Sequence, residues 1–247
     1  MDRLDEYDRL YSDVRACKNC HNHELIRPLV PKRFRFCWEP LRVRAAPRGP
    51  FSFVFVAMEP FAANCPADPE PGWFNEPLRF AIDRFLFMDS EPRSFLITNM
   101  AKCSLPVDTA RRTEGFRYEQ CASFLASEIR YARTTRLVSI GRGPKRYLER
   151  FHDRYGIDAG VQIPWVLHYA TLNNRRFSDW AHEHRTAFDA FVTEHSNEYE
   201  TFLRNEGCST QADAFLRRPD SDLYRIFRYS KDMSALRTSY GLDSVGR

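Results

Sequence analysis

The chain has 247 residues, of which 43% are hydrophobic and 14% aromatic, so it can bury a sizeable core and is not composed like a disordered protein. No apolar run approaches the roughly 20 residues of a membrane-spanning helix, and the charged beginning is unlike a secretory signal, which predicts a cytoplasmic protein without a membrane partner. The net charge is only +4, but 32 of the 37 basic residues are Arg, whose planar guanidinium suits the phosphate oxygens of nucleic acid.

Apolar spacing along the chain predicts helices that alternate with strands. Four apolar runs are typical of buried strands, and they cover residues 51–58, 94–100, 136–141 and 162–169. Helical spacing comes before the first run and after each of the four, at residues 4–14, 75–86, 116–132, 144–152 and from Ser178 to about 195. This alternation predicts an α/β fold with three layers, α/β/α, around a central four-stranded parallel sheet.

The alternation ends near residue 196. Beyond that point, short helices are predicted at residues 212–217 and 222–228, with Pro219 between them. We therefore expect one α/β domain over residues 1–195 and a helical C-terminal extension over residues 196–247. The chain is expected to act as a monomer.

Four of the seven cysteines can converge on one place. Cys17 and Cys20 form a C-x2-C pair after the N-terminal helix, Cys103 follows the second predicted strand, and Cys121 lies in the next predicted helix. Cysteines of a cytoplasmic protein are more often thiols or metal ligands than disulfides. Four thiolates suit either zinc or an iron–sulfur cluster, and the spacing alone does not choose between them.

A set of motifs in chain order resembles the iron–sulfur branch of the uracil-DNA glycosylase superfamily. Besides the C-x2-C pair, the motifs are Ala57-Met-Glu-Pro-Phe61, Thr98-Asn-Met-Ala-Lys-Cys103, Cys121-Ala-Ser-Phe-Leu125 and the strand 136–141. The match spans roughly residues 10–192. It implies a glycosylase fold, DNA as the partner, and a [4Fe–4S] cluster held by the four cysteines, with zinc as the alternative metal.

The resemblance also implies a reaction. A nucleotide is flipped out of the DNA and its N-glycosidic bond is hydrolysed, which leaves an abasic site. The sugar becomes cation-like while the base leaves as an anion, so catalysis needs a carboxylate or a positioned water near the sugar and donors near the base. Glu59 and His168 match the catalytic positions, although the family's iron–sulfur members carry their acid where this chain has Met58.

Further residues are assigned by the resemblance to the base and to the DNA. Asn99 would read the Watson–Crick edge of the base, and Phe74 would stack on it. Met58 and Phe61 would line the pocket, with Phe61 at the position of a family Tyr that excludes a 5-methyl group. The residues that would contact the DNA itself are a wedge and two phosphate-binding side chains, namely Leu172, Arg175 and Arg176.

The altered motifs leave alternatives open. The first motif lacks glycine at both ends, and Tyr169 replaces the proline that follows the family's histidine. Such changes lie where base specificity is set. The substrate is therefore uracil or a related pyrimidine, as in DNA repair, or a hypermodified cytosine of phage DNA, as in anti-phage defence. The remaining alternative is a non-catalytic, cluster-containing module that binds nucleic acid.

Overall fold

The computed structural model describes residues 3–27, 50–58, 76–88, 94–103, 105, 107–168, 184–217 and 219–242. Its four strands form a single parallel sheet in the order β2-β1-β3-β4. The strands are β1 (Phe53–Ala57), β2 (Phe95–Asn99), β3 (Leu137–Ile140) and β4 (Trp165–Val166). The predicted α/β fold with a four-stranded parallel sheet is confirmed.

Helices come before, between and after the strands along the chain and continue to the end of its described part. Those that come before β3 are α1 (Arg3–Ala16), α2 (Glu76–Ala81), α3 (Val107–Arg112) and α4 (Glu114–Ala132). Those that follow it are α5 (Arg142–Arg150), α6 (His152–Tyr155), α7 (Arg185–Asn205), α8 (Ser209–Arg217) and α9 (Pro219–Ser239). A π-helical segment, Ile82–Phe87, continues α2 directly.

One of the two inner strands of the sheet is β1, which pairs with β2 on one edge and with β3 on the other. All five of its residues are buried, as expected for an apolar strand covered on both faces. It pairs in parallel with β2, where Ala57 lies opposite Asn99, and with β3, where Val54 lies opposite Leu137. The chain therefore passes from β1 to β2 on one side and from β3 to β4 on the other. This order places the topological switch point between the carboxyl ends of β1 and β3, where open α/β sheets bind ligands.

The fourth strand is much shorter than the eight-residue run predicted at 162–169. Only Trp165 and Val166 form β4, and the residue before them is Pro164. Pro164 has no N–H to donate to a neighbouring strand, although its carbonyl accepts a hydrogen bond from the Ser139 amide at 2.9 Å. The prediction for this strand was therefore correct in place and wrong in length.

The C-terminal helices also differ from the prediction. The expected short helix at 222–228 lies within the first half of α9, which has 21 residues. Pro219 does not separate two helices as a loop residue but begins α9, a position where the missing N–H has no helical partner to lose. In addition, α7 runs without interruption through residues 195 and 196, where we expected the domain boundary.

The chain divides into two compact units. The first contains Met1–Asp68 and Ser94–Trp165, and the second contains Pro69–Arg93 and Val166–Arg247. The core of the first is apolar and lies between β1, β3 and α4, with Val54, Leu125 and Leu137 at its centre.

The core of the second unit is mainly aromatic. Phe80 of α2 meets Tyr199 and Phe202 of α7 edge to face, at centroid distances of 5.2 and 5.5 Å. Beside this cluster, Arg79 and Glu206 form an ion pair at 2.6 Å with side chains only 9% and 13% exposed. Over the described residues, none of the helices is both long and apolar enough to cross a membrane.

Candidate metal centre and strand-end site

Asn99 and Met58 lie at the same edge of the sheet. Asn99 is the last residue of β2, and Met58 directly follows β1. The chain stays paired beyond the strands, because the amide of Met100 donates to the Ala57 carbonyl at 2.8 Å and that of Ala101 donates to the Met58 carbonyl at 2.9 Å. These bonds hold the backbone after Asn99, and the pairing of β2 with β1 holds it before Asn99. The predicted base-reading residue is therefore held in a rigid setting.

Met58 also faces the end of β3. A Cβ atom built on Gly143 would lie 3.5 Å from the Met58 sulfur, so the thioether stands beside this glycine at the switch point. Gly141 joins β3 to α5 with a φ of +92°, a conformation that glycine adopts without strain. The Arg142 guanidinium lies 4.7 Å from the centre of the Trp165 ring. The resemblance predicts an acid at the position of Met58, and the structure places a half-buried, uncharged thioether there.

The four predicted metal-binding cysteines come from three places in the first unit. Cys17 follows α1 directly, and Cys20 lies in the turn after it. Cys103 lies four residues beyond β2, and Cys121 is in the second turn of α4. Cys20, Cys103 and Cys121 are buried, and Cys17 is half-buried. Cys20 also packs with Ile26, Leu105 and Ala110 in a small apolar cluster of its own.

Electrostatic coupling indicates that the buried cysteines lie near other members of this group. Burial, and then the charges of Cys121 and Cys17, raise the pKa of the Cys20 thiol to about 12. Burial raises the pKa of Cys103 well above its usual range, and Cys121, Cys20 and Cys17 add to this shift. Burial also raises the pKa of Cys121, while the amide and charge of Lys102 oppose the change. The pKa values of Cys20, Cys103 and Cys121 thus each carry a contribution from at least one other cysteine of the four, although these are up to 104 positions apart in the sequence.

Two basic residues line the cysteine group. The Lys102 amide donates a hydrogen bond to the Cys121 sulfur at 3.5 Å. The buried Arg117 donates to the Cys103 carbonyl at 3.0 Å and to the Ala110 carbonyl at 3.2 Å. The Arg117 charge lowers the pKa of Cys20, Cys103 and Cys121, but less than burial raises it. Without a further positive charge, the thiols of Cys20, Cys103 and Cys121 would therefore stay protonated at neutral pH.

The donor set therefore fits a thiolate-bound metal centre. Metal ions bind the deprotonated sulfur, and their charge would offset the burial and repulsion that now favour the thiols. In the described parts of the chain, no three His, Cys, Asp or Glu side chains are grouped closely enough to hold a metal ion as they stand. The four cysteines are thus neighbours and not a closed ligand set.

A buried polar network that we did not predict lies beneath Asn99. The Lys102 ammonium contacts Glu128 of α4 at 2.5 Å and Thr98 of β2 at 2.8 Å. The Thr98 hydroxyl donates to the same Glu128 oxygen at 2.5 Å. One feature of the sequence could have indicated the network. Glu128 stands between Leu125 and Ile129 on the apolar face of its helix, where a carboxylate needs a buried partner.

His168 lies two residues beyond β4, in the second unit. Burial lowers the pKa of its imidazole, so the neutral form predominates at neutral pH. The segment is anchored by the C-terminal helix, because the Leu167 amide donates to the Asp232 carboxylate of α9 at 2.8 Å. Burial raises the pKa of Asp232, and the Leu167 bond opposes that shift. The helical extension thus has a contact next to a predicted catalytic residue.

Six predicted site residues lie outside the described part of the chain. They are Glu59, Phe61, Phe74, Leu172, Arg175 and Arg176. Their assigned roles remain predictions from the sequence. The same holds for Ser178, the predicted cap of the helix that the structure describes from Arg185.

Comparison of the chain with models of protein families, with curated proteins and with solved structures finds no match. The resemblance to the iron–sulfur uracil-DNA glycosylases therefore rests on the ordered sequence motifs. The activity that it implies is a proposal.

Proposed function

We propose that the protein is a monofunctional DNA glycosylase that removes a flipped-out uracil or related pyrimidine and leaves an abasic site. The observation that carries this proposal is the group of four cysteines next to the end of β2, the strand that ends with Asn99. A thiolate centre beside a strand-end amide combines two features of the resemblance in one place. The proposed partner is DNA, and the proposed compartment is the cytoplasm.

Cys17, Cys20, Cys103 and Cys121 would hold a [4Fe–4S] cluster, with zinc as the alternative. When bound, the cluster would offset the charge of the thiolates and cross-link the chain. The cysteines themselves connect the turn after α1 to the loop after β2 and to α4. Their role is thus to brace the loop that begins immediately after Asn99.

Asn99 would recognise the base. Its side-chain amide offers both a donor and an acceptor, which matches the Watson–Crick edge of uracil. Recognition of a flipped base requires that this amide be held still, because a freely rotating amide can also present the pattern that suits cytosine. The paired backbone at Asn99 fixes the point from which this amide extends. In the same proposal, Phe74 stacks on the base and Phe61 with Met58 lines the pocket.

Bond cleavage would be divided between a carboxylate and an imidazole. Glu59 would stabilise the cation-like sugar and orient water. His168 would donate a hydrogen bond to the O2 of the departing base. A neutral imidazole is suited to this role, because it can donate through one nitrogen without carrying a charge of its own. Leu172, Arg175 and Arg176 would hold the DNA open and bind its phosphates.

Met58 favours a second candidate within the same class. A thioether replaces the acid at the switch point, so this part of the site is less polar than the resemblance predicts. A base with a bulky substituent, such as a hypermodified cytosine of phage DNA, would then be the substrate, and the role would be anti-phage defence. A module that binds nucleic acid without cleaving it is the outcome if no substrate is hydrolysed.

Incubation with a panel of oligonucleotides would test the activity. The bases to compare are uracil, 5-hydroxymethyluracil, hypoxanthine and glucosylated hydroxymethylcytosine, with alkali to cleave the resulting abasic sites. We expect cleavage of a pyrimidine substrate, and loss of cleavage in Glu59→Gln and His168→Ala. The control is Glu200→Gln, which changes a surface ion pair on α7. Cleavage that survives in both site variants would contradict the mechanism.

A further inference from the structure

We propose that Lys102 is a positioning residue that ties Asn99 to the cysteine group, with Glu128 as its counter-ion. The part of this inference that concerns base recognition rests on the proposed function. The part that concerns how Lys102 connects β2 to α4 does not rest on it, because it uses only contacts between described residues of the first unit.

The side chain of Lys102 is fully committed to three acceptors. Its ammonium is 1% exposed and donates to Glu128 at 2.5 Å, to the Thr98 hydroxyl at 2.8 Å and to the Asn99 carbonyl at 2.8 Å. An ammonium has three N–H groups, so each has a partner. The two acceptors other than Glu128 are the last two residues of β2. The Lys102 side chain therefore anchors the carboxyl end of β2.

The main chain of the same residue faces the cysteines. Its amide donates to the Cys121 sulfur, and the next residue is Cys103. Glu128 lies on α4, two turns after Cys121. The main chain and the side chain of Lys102 therefore both contact the same helix. A shift of the cysteine loop relative to α4 would thus pull on the Asn99 carbonyl. Three elements are joined through one residue: β2, the cysteine loop and α4.

A charged pair is a costly way to fill this volume. Replacing a buried ion pair with apolar residues of similar size is often neutral or stabilising, whereas removing one partner is strongly destabilising. Stability alone therefore does not require Lys102 and Glu128 at these positions. What an apolar pair could not supply is the directed bonds to Thr98 and Asn99. This difference separates a positioning role from a role in stability.

The test compares Lys102→Met with the double variant Lys102→Met/Glu128→Met. We expect Lys102→Met to lower the melting temperature by roughly 10 °C, because the buried Glu128 carboxylate loses its counter-ion, and the double variant to recover most of that loss. Even so, the double variant should bind an oligonucleotide containing 2′-fluoro-deoxyuridine, a slowly hydrolysed substrate analogue, at least about tenfold more weakly. It should also release its metal to a chelator faster than the wild type.

Hydrogen exchange provides a readout that needs neither metal nor activity. In the double variant, amides of residues 99–103 should exchange at least about tenfold faster than in the wild type, because the strand end has lost its anchor. The matched control is Arg79→Met/Glu206→Met, which replaces the buried ion pair of the second unit. It should leave exchange at residues 99–103 and metal release unchanged.

The outcomes separate this inference from the proposed function. Failure of the wild type to bind the uracil analogue would overturn the proposed function, and exchange at residues 99–103 would still decide the role of Lys102. A stable double variant with wild-type exchange, metal release and analogue binding would overturn the positioning role.

Discussion

Each of the two compact units buries an ion pair, and the two pairs differ in what surrounds them. Arg79 and Glu206 lie among aromatic rings, with the Arg79 guanidinium 5.8 Å from the centre of Phe202. Lys102 and Glu128 instead contact a strand end and its backbone. A buried charge surrounded by rings contributes to the core around it. One that is bonded to a strand-end carbonyl also sets the position of the residue that carries that carbonyl.

The largest effect is expected from removing one cysteine from each unit. Cys121→Ser should lose most of the bound metal, because a serine hydroxyl is a poor replacement for a thiolate ligand. Cys208→Ser should keep it, although Cys208 is equally buried. Metal per chain, measured on protein purified without oxygen, checks both variants. Equal metal content in the two would contradict the assignment of Cys121.

Breaking either ion pair should lower the free energy of unfolding by a similar amount, but only one of the two changes should affect the release of metal. Glu128→Gln and Arg79→Met each remove the counter-ion of one buried charge, which costs about 3–5 kcal/mol of the free energy of unfolding. Chemical denaturation measures this cost. Only Glu128→Gln should speed the release of metal to a chelator. If Arg79→Met speeds the release of metal equally, the proposed difference between the two ion pairs is wrong.

A smaller effect is expected at Asp232, the residue by which α9 holds the segment before His168. Asp232→Ala leaves the Leu167 amide without its acceptor, at a cost of about 1–3 kcal/mol. The hydrogen-exchange rate of the Leu167 amide should rise by a corresponding factor. Asp232→Asn retains an oxygen acceptor and should show less than half of the change. Unaltered exchange in Asp232→Ala would mean that the helix does not anchor this segment.

The smallest effect concerns the protonation of His168. Because burial lowers its pKa in the folded state, the unfolded chain takes up the proton first as the pH falls below about 6.5. This residue should therefore make the protein less stable at pH 5 than at pH 7, and His168→Gln should reduce that dependence. An NMR titration, assigned with the same variant, should give a midpoint below 6.5. A midpoint above 6.5 would contradict the neutral imidazole that the mechanism uses.

Local sequence pattern predicted the sheet well because its strands are continuous apolar runs with helical spacing between them. It failed at β4, where Pro164 limits pairing, and at α9, where a proline that usually ends a helix begins one. The four cysteines could be grouped because two form a C-x2-C pair and the other two lie after a strand and in the helix that follows it. That Lys102 would contact Glu128 could not be predicted, because it depends on which turn of α4 lies against the end of β2.

The central claim is that Cys17, Cys20, Cys103 and Cys121 hold a [4Fe–4S] cluster. Iron, acid-labile sulfide and zinc can be counted per chain in wild-type protein made with iron supplied and purified without oxygen. We predict about four iron and about four sulfide per chain, with little zinc. One zinc per chain without sulfide would contradict the cluster, and the absence of any bound metal would contradict the metal centre itself.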